Sequence, residues 1–166
     1  VTRKAVRHAL ADWLNAAEIK GLDRVHPGPL YEVPWEQHQS DPTHMCQGWI
    51  LVPRYRRDRI AGGNPLANGA PTGQKNVVAT VRLVLFFRST DPSGWLDAQD
   101  QFDDVTADVT SQLEAGARVA GRPDLFVSVG EYIGIDQQND EPVALNGGTM
   151  QAEATITFEV DEVINA

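Results

Sequence analysis

The run from Asn76 to Ser89 constrains the fold of this chain more than any other stretch. Read in twos, one face carries Val77, Ala79, Val81, Leu83, Leu85 and Phe87, apolar throughout. The other carries Val78, Thr80, Arg82, Val84, Phe86 and Arg88, apolar at half its positions. A period of two in β-branched and aromatic residues predicts a long strand whose first face lies on a core. A strand this apolar is disfavoured at a sheet edge, where unpaired backbone groups invite aggregation. We therefore expect the central strand of one sheet.

The preceding sequence predicts elements that could cover it. Thr2 suits a helix N-cap, and Val6, Leu10, Trp13, Leu14 and Ala17 recur at threes and fours, with Arg3, Arg7, Asp12, Asn15 and Glu18 facing elsewhere. This predicts an amphipathic helix ending near Lys20, with Gly21 in the stop position. Pro27, Pro29, Pro34 and Pro42 then break the pattern from Leu22 to Met45, leaving a short strand around Leu30 to Val33 in otherwise irregular backbone. A connection of that length tends to be a contact surface. Gln47 to Ile60 reads as a second strand, with Trp49, Leu51 and Tyr55 on one side and Ile50, Val52, Arg54 and Arg56 on the other. Pro53 marks it as edge-like or bulged. Ala61 to Lys75, rich in glycine with prolines and asparagines, predicts a mobile hairpin loop. The two strands it joins would form a long β-hairpin arm whose tip leaves the body.

Beyond the central strand, Asp91-Pro92 is expected to open a second helix. Its apolar stripe is Trp95, Ala98, Phe102, Val105, Val109 and Leu113, and Asp97, Asp100, Asp103, Asp104 and Asp108 fill other positions. The acids crowd the half where the helix dipole favours them, and Arg118 sits near the end that favours cations. A turn at Gly121 to Asp124, a strand from Leu125 to Ile135 and a polar loop from Gln137 to Gly148 follow. In the last strand Ala152, Ala154, Ile156, Phe158 and Val160 point inward, and Glu153, Thr155, Thr157, Glu159 and Asp161 point outward. The expected fold is α+β: a mostly antiparallel sheet, two helices packed on one face, and the hairpin arm. Its 166 residues suit one domain spanning 1–166.

Charge and cysteine content narrow the chemistry. A formal net charge of -9 argues against general nucleic-acid binding, where Lys and Arg neutralise phosphates. It suits a chain that does not adhere to DNA passing close by. Cys46 is the single cysteine, which points to a reducing compartment and no intrachain disulfide. No apolar run approaches membrane-spanning length, and the basic start at Arg3, Lys4 and Arg7 precedes no signal-peptide core. Neither a membrane partner nor a cofactor is expected.

His38, His44 and Cys46, with Glu36 and Asp41 nearby, hold potential metal ligands. Strong zinc signatures repeat a short Cys or His spacing twice, however, and here it occurs once, among prolines. These read better as scattered loop residues. Gly69 to Lys75 faintly resembles a phosphate loop, but its spacing is wrong and a strand follows where a helix N-terminus is required. No serine sits in a nucleophile-elbow context. The helical acids read as a solvated or partner-facing side rather than a catalytic pair.

The arginines are the most informative polar feature. Arg54, Arg56, Arg57 and Arg59 flank Tyr55 and Asp58 on the expected arm, with Arg82 and Arg88 on the next strand. Nucleic-acid contact, a solvated strand face and docking onto an acidic neighbour are the three readings. Docking is favoured, with Arg54, Tyr55, Arg56, Arg57 and Arg59 on one side and Asp100, Asp103 and Asp104 on the other.

Several short peptides carry a family resemblance. They are Arg3-Lys4-Ala5-Val6-Arg7, Gly21-Leu22-Asp23-Arg24-Val25, Phe86-Phe87-Arg88-Ser89, Ala98-Gln99-Asp100 and Phe102-Asp103-Asp104. With the order of elements around them, they resemble tail terminator proteins of long-tailed phages, particularly those infecting actinobacteria. The similarity spans most of residues 3 to 120. It implies an α+β subunit of a ring, expected to be a hexamer, at the head-proximal end of the tail tube. Such a ring stops tube polymerisation, binds the tail tube protein and meets a head-completion or connector protein. DNA passes through its lumen without specific binding. The expected location is the neck region of the virion, after synthesis in the host cytoplasm. The family supplies no catalytic residues. Another neck or head-completion protein is the alternative within this class, and a small metal-dependent or hydrolytic enzyme lies outside it.

Overall fold

The computed structural model describes residues 2–29, 43–59, 74–90, 94–115, 118–119, 122, 124–128, 134–145 and 148–165; at 58–59, 74–76, 126, 128 and 163–165 this extends to the backbone only. The elements are α1 (Arg3–Ala16), β1 (Arg24–His26), β2 (His44–Arg59), β3 (Gln74–Ser89), α2 (Trp95–Ala115), β4 (Leu125–Ser128), β5 (Asp136–Asn139), β6 (Val143–Leu145) and β7 (Thr149–Asn165). They form an α+β fold with two helices near one mixed sheet. The strand order is β1-β2-β3-β7-β4, and β5 and β6 also pair with β7. Among the described residues every pairing is antiparallel except β1 with β2.

The periodicity of β3 translates directly into its position. Val77, Ala79, Val81, Leu83, Leu85 and Phe87 are all buried. They lie between long partners on both sides, β2 from His44 and β7 from Thr149. Both helices share one buried cluster with this face: Val6, Leu10 and Leu14 from α1, and Phe102, Val109 and Leu113 from α2. Each such side chain contributes about 1.5–3 kcal/mol on burial. Gly48 keeps the core closed, because a Cβ there would stand 3.0 Å from Leu85 Cδ2 and 3.2 Å from Leu83 Cδ1.

The Thr2 side chain caps α1 as expected, accepting from the Ala5 N–H at 3.3 Å. The helix stops at Ala16 rather than near Lys20. Its last turn tightens, with Ala17 N–H donating to Leu14 C=O at 3.2 Å, and Glu18 turns left-handed at φ 49. The Asn15 side chain then works as a strand would. It accepts from Val25 N–H at 2.8 Å and donates to Val25 C=O at 2.9 Å, satisfying the outer edge of β1. Gly21 turns the chain at φ 83, where a Cβ would lie 2.8 Å from Val105 of α2.

Several expectations are corrected. The span after α1 contains β1, a strand too short to show a period. The proposed strand at Leu30 to Val33 lies outside the described residues. β2 begins at His44, and its register slips between Leu51 and Arg54, a bulge at Pro53. One extra residue inverts the alternation. Ile50 therefore shares its face with Tyr55 and Arg57, while Trp49 and Leu51 share theirs with Arg54 and Arg56. Among the described residues the strands of the expected arm lie within the sheet, since β7 pairs with β3 as far as Gln74↔Asn165 and β4 lies beyond β7 at Glu159 to Glu162; its tip lies outside those residues. Of the expected loop from Ala61 to Lys75, Gln74 and Lys75 belong to β3, and 61–73 lie outside the described residues.

α2 begins at Trp95, with Ala98 N–H donating to Gly94 C=O at 2.7 Å; Asp91 and Pro92 lie outside the described residues. Trp95, expected in the buried stripe, is 39% exposed. The strand expected from Leu125 to Ile135 is described as β4 over Leu125–Ser128, and 129–133 lie outside the described residues. The expected polar loop holds β5 and β6, and with β4 these short strands follow one another along the outer edge of β7.

Candidate interaction surfaces

The arginines singled out from the sequence stand on an edge. β1 covers β2 only to His26↔Trp49, and among the described residues no strand pairs with the outer side of β2 beyond that point. The bulge, exposed Pro53 and exposed Arg54, Arg56 and Arg57 all discourage strand addition there. The bulge also divides the set between two faces. Arg57 stands on the core side, 5.7 Å from the centroid of the Tyr55 ring, which is itself packed against the core cluster. Arg54 and Arg56 stand on the other face, opposite Thr80 and Val78. Glu159 and Asp161 of β7 flank those same two β3 residues. Arg54, Arg56 and Glu159 border one cleft of about 160 Å³. Acids of the same chain thus lie closer to these arginines than those of α2. The Arg59 side chain lies outside the described residues.

The α2 acids are likewise not one surface. Asp103 leans toward β5, accepting from Asn139 Nδ2 at 3.5 Å, and on the same flank the Thr110 hydroxyl meets Gln137 Oε1 at 3.1 Å. Asp104 faces the opposite flank. There it lines a groove of about 630 Å³ with Lys20, His44, Gln101 and Asp108 above Phe87 and Val105. Asp100 is exposed near the start of the helix, by Phe102, which stacks on Phe87 at 5.2 Å between centroids. Residues one apart on a helix differ by about 100° in direction, which splits Asp103 from Asp104.

Cys46 is buried in the core cluster. Burial pushes its thiol far above the ordinary range, with the nearby Asp23 carboxylate adding to the effect. Asp23 instead serves the backbone: its Oδ2 accepts from Cys46 N–H at 2.8 Å, and its own N–H donates to Cys46 C=O at 2.8 Å. A thiol held protonated is a poor metal ligand. Among the described residues no three His, Cys, Asp or Glu side chains converge as a metal site, and no helix is long and apolar enough to cross a membrane. His38 lies outside those residues.

A further charged cluster escaped the sequence reading. Arg122 forms a bidentate pair with Asp124 at 3.1 and 2.9 Å, and its Nη2 also meets Glu162 Oε1 at 2.8 Å. Glu162 is buried beside Leu125, its register partner, and among the described residues its Oε2 has no hydrogen-bond partner. Burial pushes the Glu162 carboxyl up, with Asp124 adding to the shift and Arg122 opposing it. The hydrogen bonds from Arg122 chiefly hold Asp124 down at about 2. The signal was present: Glu162 continues the inward series that ends in Phe158 and Val160, and a carboxylate at an inward position demands a partner. Compared with known proteins, the chain matches no family model and no curated protein.

Proposed function

We propose that this protein is a phage tail terminator: a ring-forming structural protein that caps the head-proximal end of the tail tube, stops its polymerisation and joins the tail to the head connector. The observation that carries the reading is the distance between the exposed arginines of the β2 edge and the exposed acids of α2. Arg54 and Arg56 sit opposite Thr80 and Val78, whereas Asp100, Asp103 and Asp104 flank Phe102, which stacks on Phe87. At the rise of a strand these levels are roughly 23–30 Å apart along β3. Unlike patches at separate places are what head-to-tail contacts in a cyclic ring require. The family resemblance and the α+β architecture support the same reading, and a net charge of -9 suits a lumen that lets DNA slide.

In this reading the far end of β2 and β3 is a subunit contact, with Arg54, Arg56 and Arg57 reaching acids of the next copy. The test is to reverse Arg54 and Arg57 to glutamate and examine the purified protein by size-exclusion chromatography and negative-stain microscopy, with and without polymerising tail tube protein. Wild-type protein should form rings and shorten tubes, and the folded variant should do neither. Rings that persist unchanged in the variant remove these arginines from the contact. A wild-type monomer that leaves tube length unaltered removes the function.

A further inference from the structure

Among the described residues the exposed large apolar side chains are Trp95, Leu96, Val143 and Leu145. All four lie at one end of the sheet. Trp95 and Leu96 open α2, and Val143 and Leu145 belong to β6. Trp95 Nε1 donates to Gly148 C=O at 3.4 Å in the turn from β6 to β7, which ties the two elements together. Leu96 is 72% exposed and Val143 56%. Single exposed apolar residues are ordinary, but a group gathered on adjoining elements marks a contact surface. Exposed acids border it, Asp97 and Asp100 on α2 and Asp140 and Glu141 just before β6. Arg88 lies two strands inward of Val143, across Gln151.

We propose that this end forms the apolar centre of a contact with the β2 edge of a second copy of the chain. The inference rests on the ring reading above and supplies what charge alone lacks. Exposed ion pairs contribute about 0–1 kcal/mol each, so they set register but do not hold subunits together. Stable interfaces place apolar side chains at the centre and charge at the rim. The β2 edge offers the matching composition: half-buried Trp49 and Leu51 share a face with exposed Arg54 and Arg56. An apolar end bordered by acids thus meets an apolar edge bordered by arginines. The two surfaces sit at different levels of the same sheet, so they meet only between copies.

The test uses the full chain carrying Leu96→Asp and Val143→Asp, singly and together, with the milder Leu96→Ser alongside. Sedimentation velocity reads assembly, and circular dichroism with thermal melting reads the fold. The expected result is a wild-type oligomer whose dissociation constant rises roughly tenfold or more with each aspartate. The double variant should be monomeric with an unchanged spectrum, since neither side chain is buried. Intact oligomers in the double variant overturn this inference, and they leave the ring reading standing if reversal of Arg54 and Arg57 still disperses them. Variants that keep the oligomer but no longer act on tail tubes assign the patch to a different protein and likewise overturn the second-copy contact. A wild-type monomer overturns both.

Discussion

The arginines of β2 and Arg122 before β4 present the same side chain under opposite conditions. Arg54, Arg56 and Arg57 are exposed on a strand edge without a neighbouring strand among the described residues, in high-dielectric surroundings. Arg122 has a side chain 28% exposed, held by Asp124 and by a Glu162 that is 1% exposed. Charges of the first kind hold little folding energy. Charges of the second kind are costly to break, because removing one leaves another stranded away from water. Density of charge along the sequence drew attention to β2. Dielectric environment makes the lone Arg122 the structural one.

The largest expected effect tests the buried side of this contrast. Arg122→Ala should lower stability by about 3 kcal/mol in urea unfolding at neutral pH, since Glu162 loses its cation. A loss under 1 kcal/mol would mean that Glu162 is already neutral in the fold and has no need of the guanidinium.

A smaller effect is expected from pH. The Glu162 carboxyl is raised from 4.5, so the folded chain binds this proton more tightly than the unfolded chain. The stability it contributes is fully present below pH 4.5 and is lost as pH rises through the folded value. Glu162→Gln should flatten that decline. Asp124 runs the other way: lowered from 3.8 to about 2, it contributes above pH 3.8 and loses its contribution as pH falls toward 2. Unfolding free energies measured across pH should therefore diverge between wild type and Glu162→Gln on the alkaline side. Parallel curves there would remove Glu162 from the account.

The smallest effect belongs to the exposed side. Arg54→Glu with Arg57→Glu should change stability by no more than about 1 kcal/mol, including the contact of Arg57 with Tyr55. A larger thermal or urea shift would make these arginines structural and erase the contrast with Arg122.

The parts of the fold legible in the sequence were those with many turns or pleats of one period. β3, α1, α2 and the inward row of β7 each repeat their pattern often enough to outweigh local exceptions. β1, β5 and β6 were missed because three or four residues show no period, and β5 and β6 are exposed throughout. They exist as strands because β2 and β7 offer them hydrogen-bonding edges. The faces of β2 were assigned wrongly beyond Pro53, since one inserted residue reverses every later side chain. The proline was visible, but which strand absorbed the slip was not. The extent of the sheet along the arm was hidden for a related reason: the length of β2 and β3 says nothing of whether β7 follows them.

Local periodicity by itself determined that this chain builds a long central strand beneath two amphipathic helices, because burial acts on every repeat of the pattern. Tertiary structure alone decided which strands share an edge, which arginines stand on which face, and which carboxylate is stripped of water beside Arg122. Those outcomes depend on groups such as Arg122 and Glu162, distant in sequence and adjacent only after folding. Their energies come from the neighbours and solvent exposure that folding assigns.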